Sequence, residues 1–147
     1  MTVFEDMFSD EQMNMVLAAI EYASGKADDV YLHFSFLGGM LHVGVFYVQA
    51  GQTYYRYQLP GVDTSTQRQN LLLDACLKSL MNIYTACKEY DRKMPIEGFF
   101  HYKVGGALDA RYSYEDIPVG EDPQWDKKLE TWMKSVQEEL NKKATQR

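Results

Sequence analysis

Apolar and polar positions alternate through three parts of the chain, and each alternation predicts strands. From Val30 to Phe36 every even position is apolar, and Leu41, Val43, Val45 and Tyr47 take up the pattern after Gly38-Gly39. A two-residue turn at those glycines sets Val30, Leu32, Phe34 and Phe36 opposite Tyr47, Val45, Val43 and Leu41, so that all four pairs are apolar. A third strand is predicted from Thr53 to Leu59 after a turn around Gly51. A three-residue loop there puts Tyr55, Tyr57 and Leu59 on the core face and turns Tyr54, Arg56 and Gln58 away. Gly98 to Asp116 reads as a second hairpin. A two-residue turn at Gly105-Gly106 would mix Arg111 and Asp109 into the apolar face. A three-residue loop, Gly105 to Ala107, instead sets Phe100, Tyr102 and Val104 opposite Tyr112, Ala110 and Leu108. The same register brings Lys103 opposite Asp109, a favourable cross-strand pair, and is the one expected.

Helical spacing fills the intervals. Ser9-Asp-Glu-Gln12 has the form of a capping box, followed by Met13, Val16, Leu17 and Ile20 at helical spacing and by Gly25 as a stop. Thr64-Ser-Thr-Gln67 repeats the capping pattern ahead of a long helix from about Ser65 to Tyr90. Its inner stripe is Leu73, Cys76, Leu77, Leu80, Ile83, Tyr84 and Cys87. Asp122-Pro123 supplies an N-cap and a first-turn proline for a last helix, with Trp125, Leu129, Trp132, Met133, Val136 and Leu140 on one face. The tail 141–147 is expected to fray. The order α-β-β-β-α-β-β-α with short glycine turns predicts an α+β fold: an antiparallel sheet of about five strands, covered by the long helix. At 147 residues the chain is read as a single domain, 1–147.

Composition excludes several classes. No run has the length of a transmembrane helix, and the first residues lack the basic region of a signal peptide, so a cytoplasmic protein is expected. Cys76 and Cys87 are eleven apart in one helix, roughly 16 Å, too far to bridge, which fits reduced core thiols. Charge is unevenly placed: residues 1–75 hold nine carboxylates against three basic groups, and 109–126 hold six against Arg111 alone. Such a field repels nucleic acid and attracts a basic protein, although it also serves plain solubility.

Candidate chemistry is sparse. His33, His42 and His101 fall on the sheet face opposite the apolar one, with His33 and His42 diagonal neighbours. A metal would need a third ligand, and histidines on a solvated or helix-covered face are the reading adopted. Neither cysteine has metal spacing or a histidine beside it in sequence. Both glycine pairs join strands, so neither is a phosphate loop. Glu115 and Asp116, adjacent in an extended stretch, point to opposite faces. No catalytic, cofactor-binding or metal-binding residue is assigned, and a binding protein is expected rather than an enzyme.

The second hairpin, with its glycine turn and Ala-Arg-Tyr-Ser-Tyr-Glu-Asp-Ile at 110–117, resembles the YezG-like family of bacterial immunity proteins. Val30 to Phe36, the glycine turn and Val-Phe-Tyr at 45–47 are similar to that family's first hairpin. The chain departs from the family at its end, where 123–140 is a regular amphipathic helix. The resemblance implies an antitoxin that binds a secreted toxin, often a nuclease, and occludes its active site. The expected partner is the toxin's C-terminal toxic domain, with no cofactor, nucleic acid or membrane, the protein itself being a monomer or homodimer. The acidic stretch Asp109, Glu115, Asp116, Glu121 and Asp122 is the expected contact surface. The alternative is an enzyme or small-ligand carrier with a pocket between sheet and helix and the histidines at its mouth.

Overall fold

The computed structural model describes residues 3–115, 117, 122 and 124–146. Helices α1 (Val3–Ala23), α2 (Thr66–Glu89) and α3 (Trp125–Thr145) accompany strands β1 (Asp29–Leu37), β2 (Met40–Gln49), β3 (Gln52–Tyr55), β4 (Glu97–Lys103) and β5 (Leu108–Ser113). All neighbouring strands are antiparallel and the sheet order is β3-β2-β1-β4-β5. The fold is α+β, with the elements in the expected order. Among the described residues, no helix is long and apolar enough to cross a membrane.

The first hairpin has the expected register, Val30↔Tyr47 through Phe36↔Leu41. Gly38 and Gly39 both take positive φ, as a two-residue turn between twisted strands requires. The next two registers differ from expectation. Ala50 and Gly51 form another two-residue turn with both φ positive, which pairs Tyr47 with Tyr54. Tyr54 therefore joins the core face and Tyr55 the other. The strand stops at Tyr55, where one 3₁₀ turn, Arg56–Gln58, stacks Tyr57 on Tyr55 and leaves Tyr57 54% exposed. Leu59 returns to the core.

In the second hairpin, Phe100 faces Ala110 and Tyr102 faces Leu108, a shift of two residues from the expected pairing. The face assignment survives because the shift is even. The cause is a tight turn: Gly106 N–H donates to Lys103 O at 2.7 Å, which takes Val104 out of the pairing with β5 and leaves it 48% exposed. Asp109 consequently faces His101, and Lys103 pairs with Asp29 instead.

Two layers of helix enclose the sheet. On one face α1 and α2 cover Val30, Leu32, Phe34, Val43, Val45, Tyr47 and Phe100. Helix α1 starts at Val3, upstream of the expected Ser9 cap, because Phe4 and Phe8 bury themselves against Tyr90 and Tyr112. Its inner stripe is Met15, Val16, Ala19 and Tyr22, and Leu17, expected inside, is 53% exposed. Tyr47 OH ties β2 to α1 by donating to Ala19 O at 2.8 Å. Glu11, buried between the helices, accepts from Asn14 and Asn82 at 2.8 Å each. Ser65, one residue after the expected Thr64, is the N-cap of α2.

Among the described residues the other face is covered by α3 alone, through Leu129, Trp132, Met133, Val136 and Leu140 packed on Tyr31, Phe46, Val48 and Tyr55. The helix begins at Trp125 with Gln124 as a left-handed N-cap. Asp122 accepts from Gln124 N–H at 2.9 Å, so it closes the turn ahead of the helix; Pro123 lies outside the described residues. The helical hydrogen bonding runs on to Thr145, through most of the segment expected to fray. Gly44 permits the close approach of α3: a Cβ there would stand 2.7 Å from Leu129 Cδ2.

Candidate functional site

The described residues of the expected acidic surface are spread from β5 to the turn ahead of α3. Asp109 sits at the start of β5, and Glu115 follows its end, about 20 Å away for an extended chain. Both are exposed, and Glu115 N–H donates to Ser113 Oγ at 3.4 Å. Pairing of Ser113 with Glu97, and of Glu97 with Lys128, brings the end of β5 and the first turn of α3 to the same end of the sheet. Glu115 and the exposed Asp122 belong to that end, and Asp109 to the opposite one. Asp116 and Glu121 lie outside the described residues. Asp126, not assigned from sequence, adds a carboxylate whose side chain is 99% exposed and 3.4 Å from His42. The local field is mixed, since Lys93 donates to Tyr114 O at 3.0 Å and Lys127 and Lys128 flank the turn.

Beneath the start of α3 lies a polar cluster that spans β1, β2 and β4. His33 Nε2 is 2.8 Å from Glu97 Oε1, and Lys128 Nζ closes the other side of the carboxylate at 3.3 Å. His33 is fully buried between Phe99 and Trp125. Burial pushes its imidazole below the ordinary value, against the opposing pull of the Glu97 bond and charge. The neutral ring donates its Nε2–H to Glu97, which leaves Nδ1 buried without a partner among the described residues. Ser35 Oγ is likewise buried and unpartnered among the described residues. Its strand position faces both His42 and Glu97. The diagonal placement of His33 and His42 is as expected, with ring centroids 6.5 Å apart. The third histidine stands apart: His101 bonds Asp29 at 2.7 Å and stacks on Tyr31 at 4.1 Å. Among the described residues, no three His, Cys, Asp or Glu side chains converge on a common point. Cys76 and Cys87 are both buried and free, and burial raises the Cys76 thiol to about 12.

Open grooves run on both sides of α3. One of about 700 Å³ separates it from β3 and the 3₁₀ turn and is lined by Tyr55, Tyr57, Leu129, Met133 and Lys134. The other, about 510 Å³, lies over Phe99, Arg111 and Trp132. A space between sheet and helix was expected for a ligand carrier, with histidines at its mouth. His33 instead lies sealed beneath the helix, and His42 borders a separate groove with Asp122 and Trp125. The Glu97 link to His33 was missed in the sequence, where 64 residues separate the two. The covering of this face had a visible signal in the apolar positions Tyr31, Phe46, Val48 and Phe99, which make the strands apolar on both sides. No family model matches the chain, and no curated protein matches its sequence.

Proposed function

We propose that this protein is a cytoplasmic immunity protein that neutralises a cognate bacterial toxin by occluding the active site of its C-terminal toxic domain. The observation that carries this reading is the exposure of Glu115, Asp122 and Asp126 where β5 ends and α3 begins, with the exposed Tyr114 beside them. A nuclease toxin is basic around its phosphate-binding cleft. Carboxylates on an opposing surface steer such a partner and stand in for phosphate, while an aromatic anchor such as Tyr114 holds the contact. Asp109 carries the acidic positions to the far end of the same strand.

The test is coexpression with a candidate toxic domain, sought first in the reading frames that neighbour the gene. A one-to-one complex and loss of toxin activity without turnover are expected. The double variant Glu115→Lys, Asp122→Lys should slow association by about tenfold at low salt, and the loss should shrink as salt screens the field. An unchanged rate at low salt removes this surface. Full toxicity in the presence of the folded protein removes the immunity reading. The second reading, a small-ligand carrier, has the 700 Å³ groove beside α3 in its favour. A molecule retained through purification and displaced by Met133→Trp would support it.

A further inference from the structure

The two edges of the sheet are finished differently. On β3, Gln52 and Tyr54 bond to β2, while Thr53 and Tyr55 turn their backbone groups outward. Both outward N–H groups are capped: Thr53 donates to Gln137 Oε1 at 2.8 Å and Tyr55 to Gln58 Oε1 at 3.2 Å. Gln137 also donates to Gly51 O at 3.1 Å. Across the sheet, Phe36 N–H bonds Ile96 O at 2.7 Å and Val104 N–H bonds Asp28 O at 2.9 Å, so the even residues of β4 face β1. Its odd residues therefore bond to β5, through Phe99↔Arg111 and His101↔Asp109. Leu108, Ala110 and Tyr112 are left with their backbone groups pointing away from the sheet. Among the described residues no side chain caps them. Such an edge is a template for another strand.

We propose that the occupant is a second copy of this chain, paired antiparallel along β5 about a two-fold axis at Ala110 to make one continuous sheet. The residues of the edge select this partner and this register. With Ala110 opposite the second copy's Ala110, Asp109 faces the second copy's Arg111 and Arg111 faces its Asp109. On the opposite side of the sheet, Leu108 faces the second copy's Tyr112 and the reverse. Charge meets opposite charge twice, and apolar meets apolar twice. Neighbouring registers with the same backbone alignment fail. Centred on Arg111, two guanidinium groups meet; centred on Asp109, two carboxylates meet; centred on Tyr112, Asp109 meets Glu115. The second copy's hairpin tip, with its exposed Val104, then runs past Tyr114 along a groove of about 530 Å³ lined by Phe4, Phe8 and Tyr112. The pairing shares Asp109 and Tyr114 with the proposed toxin surface and leaves Glu115 and Asp122 outside the β5 strand that pairs.

Sedimentation or light scattering across a concentration series tests this. Wild type should reach twice the 17.0 kDa chain mass and fall to one chain on dilution. Asp109→Arg and Arg111→Asp each set like charges face to face at both pairs and should weaken self-association by about tenfold or more. An equimolar mixture of the two single variants should form a heterodimer, because opposite charges then meet at both positions. The double variant Asp109→Arg, Arg111→Asp should restore wild-type association, a rescue that loss of folding cannot imitate. Ala110→Pro deletes an outward N–H and should give a folded single chain by circular dichroism. A wild type that stays at one chain mass at every concentration overturns the proposal. So do single variants that associate as wild type does, or a mixture that gains nothing over its components.

Discussion

On one face of the sheet, Leu32, Phe34, Val45 and Phe100 lie sealed beneath two helices; on the other, Tyr31, Phe46 and His33 lie beneath one. Five strands at about 4.8 Å spacing make a surface roughly twice as wide as the 10–12 Å diameter of a helix. One helix therefore cannot close a face, and grooves remain on both sides of α3. The chemistry of the two faces follows this geometry. The closed face is aliphatic and aromatic, and its polar atoms are spent on ties such as Tyr47 to Ala19. The half-open face stacks aromatic rings, with Trp132 set edge-on to Tyr31, Phe46 and Phe99 at 5.1–5.4 Å. It also buries His33, Ser35 and Glu97. Packing on the first face holds the fold, while the second leaves open grooves beside α3.

The largest expected effect belongs to the closed face. Leu80 is fully buried at the centre of the α2 contact, and Leu80→Ala should cost about 2–5 kcal/mol, measured by urea unfolding. A cost below about 1 kcal/mol, in the range of surface substitutions, would show that the α2 face is not packed as described. This face was also the more legible in sequence. Its first hairpin was over-determined, since four apolar pairs agree on one register. The third strand was not, because Tyr54, Tyr55 and Tyr57 suit either face, and a turn at Ala50-Gly51 with the distant Gln137 decides between them. The second hairpin kept its faces and lost its pairing for a related reason. Alternation fixes parity, whereas the offset depends on how the Lys103–Gly106 turn closes. Of the candidate surface, sequence identified Asp109, Glu115 and Asp122 as exposed acids. The strand reading already sets Asp109 about 20 Å from Glu115, but it could not bring lysines from α3 beside the end of the strand.

A smaller effect is expected where α3 meets the sheet. A Cβ at Gly44 would meet Leu129 at 2.7 Å, and that side chain can shift only by moving against Tyr31 and Phe46. Gly44→Ala should cost about 1–3 kcal/mol through overpacking. Both tryptophans of the chain, Trp125 and Trp132, lie in α3, so their fluorescence reports this face alone. Emission should shift to the red in the variant at urea concentrations where far-ultraviolet circular dichroism is still native. Coincident transitions would mean that the two faces unfold as one unit, and the contrast between them would then lie in packing without a difference in local stability.

The smallest effect separates the faces by pH. Burial lowers the His33 pKa below its ordinary 6.5, with Glu97 opposing and His42 and Lys128 adding to the fall. In the unfolded chain the imidazole takes up a proton as pH drops through that ordinary value, while in the folded protein it stays neutral. The unfolded state then binds more protons, so stability falls as pH falls from about 6.5 toward the lower folded value. For one group the slope cannot exceed about 1.4 kcal/mol per pH unit. His33→Gln removes the titration and keeps an amide able to donate to Glu97, so its urea midpoint should vary less over this window than that of wild type. The comparison isolates His33 from His42 and His101, which both chains retain. If wild type instead gains stability relative to the variant as the solution is acidified, the Glu97 carboxylate outweighs burial, and the cluster under α3 is a buried ion pair at low pH. The half-open face would then be the one that tightens with acid, and α3 should dock more firmly there by the same fluorescence measurement.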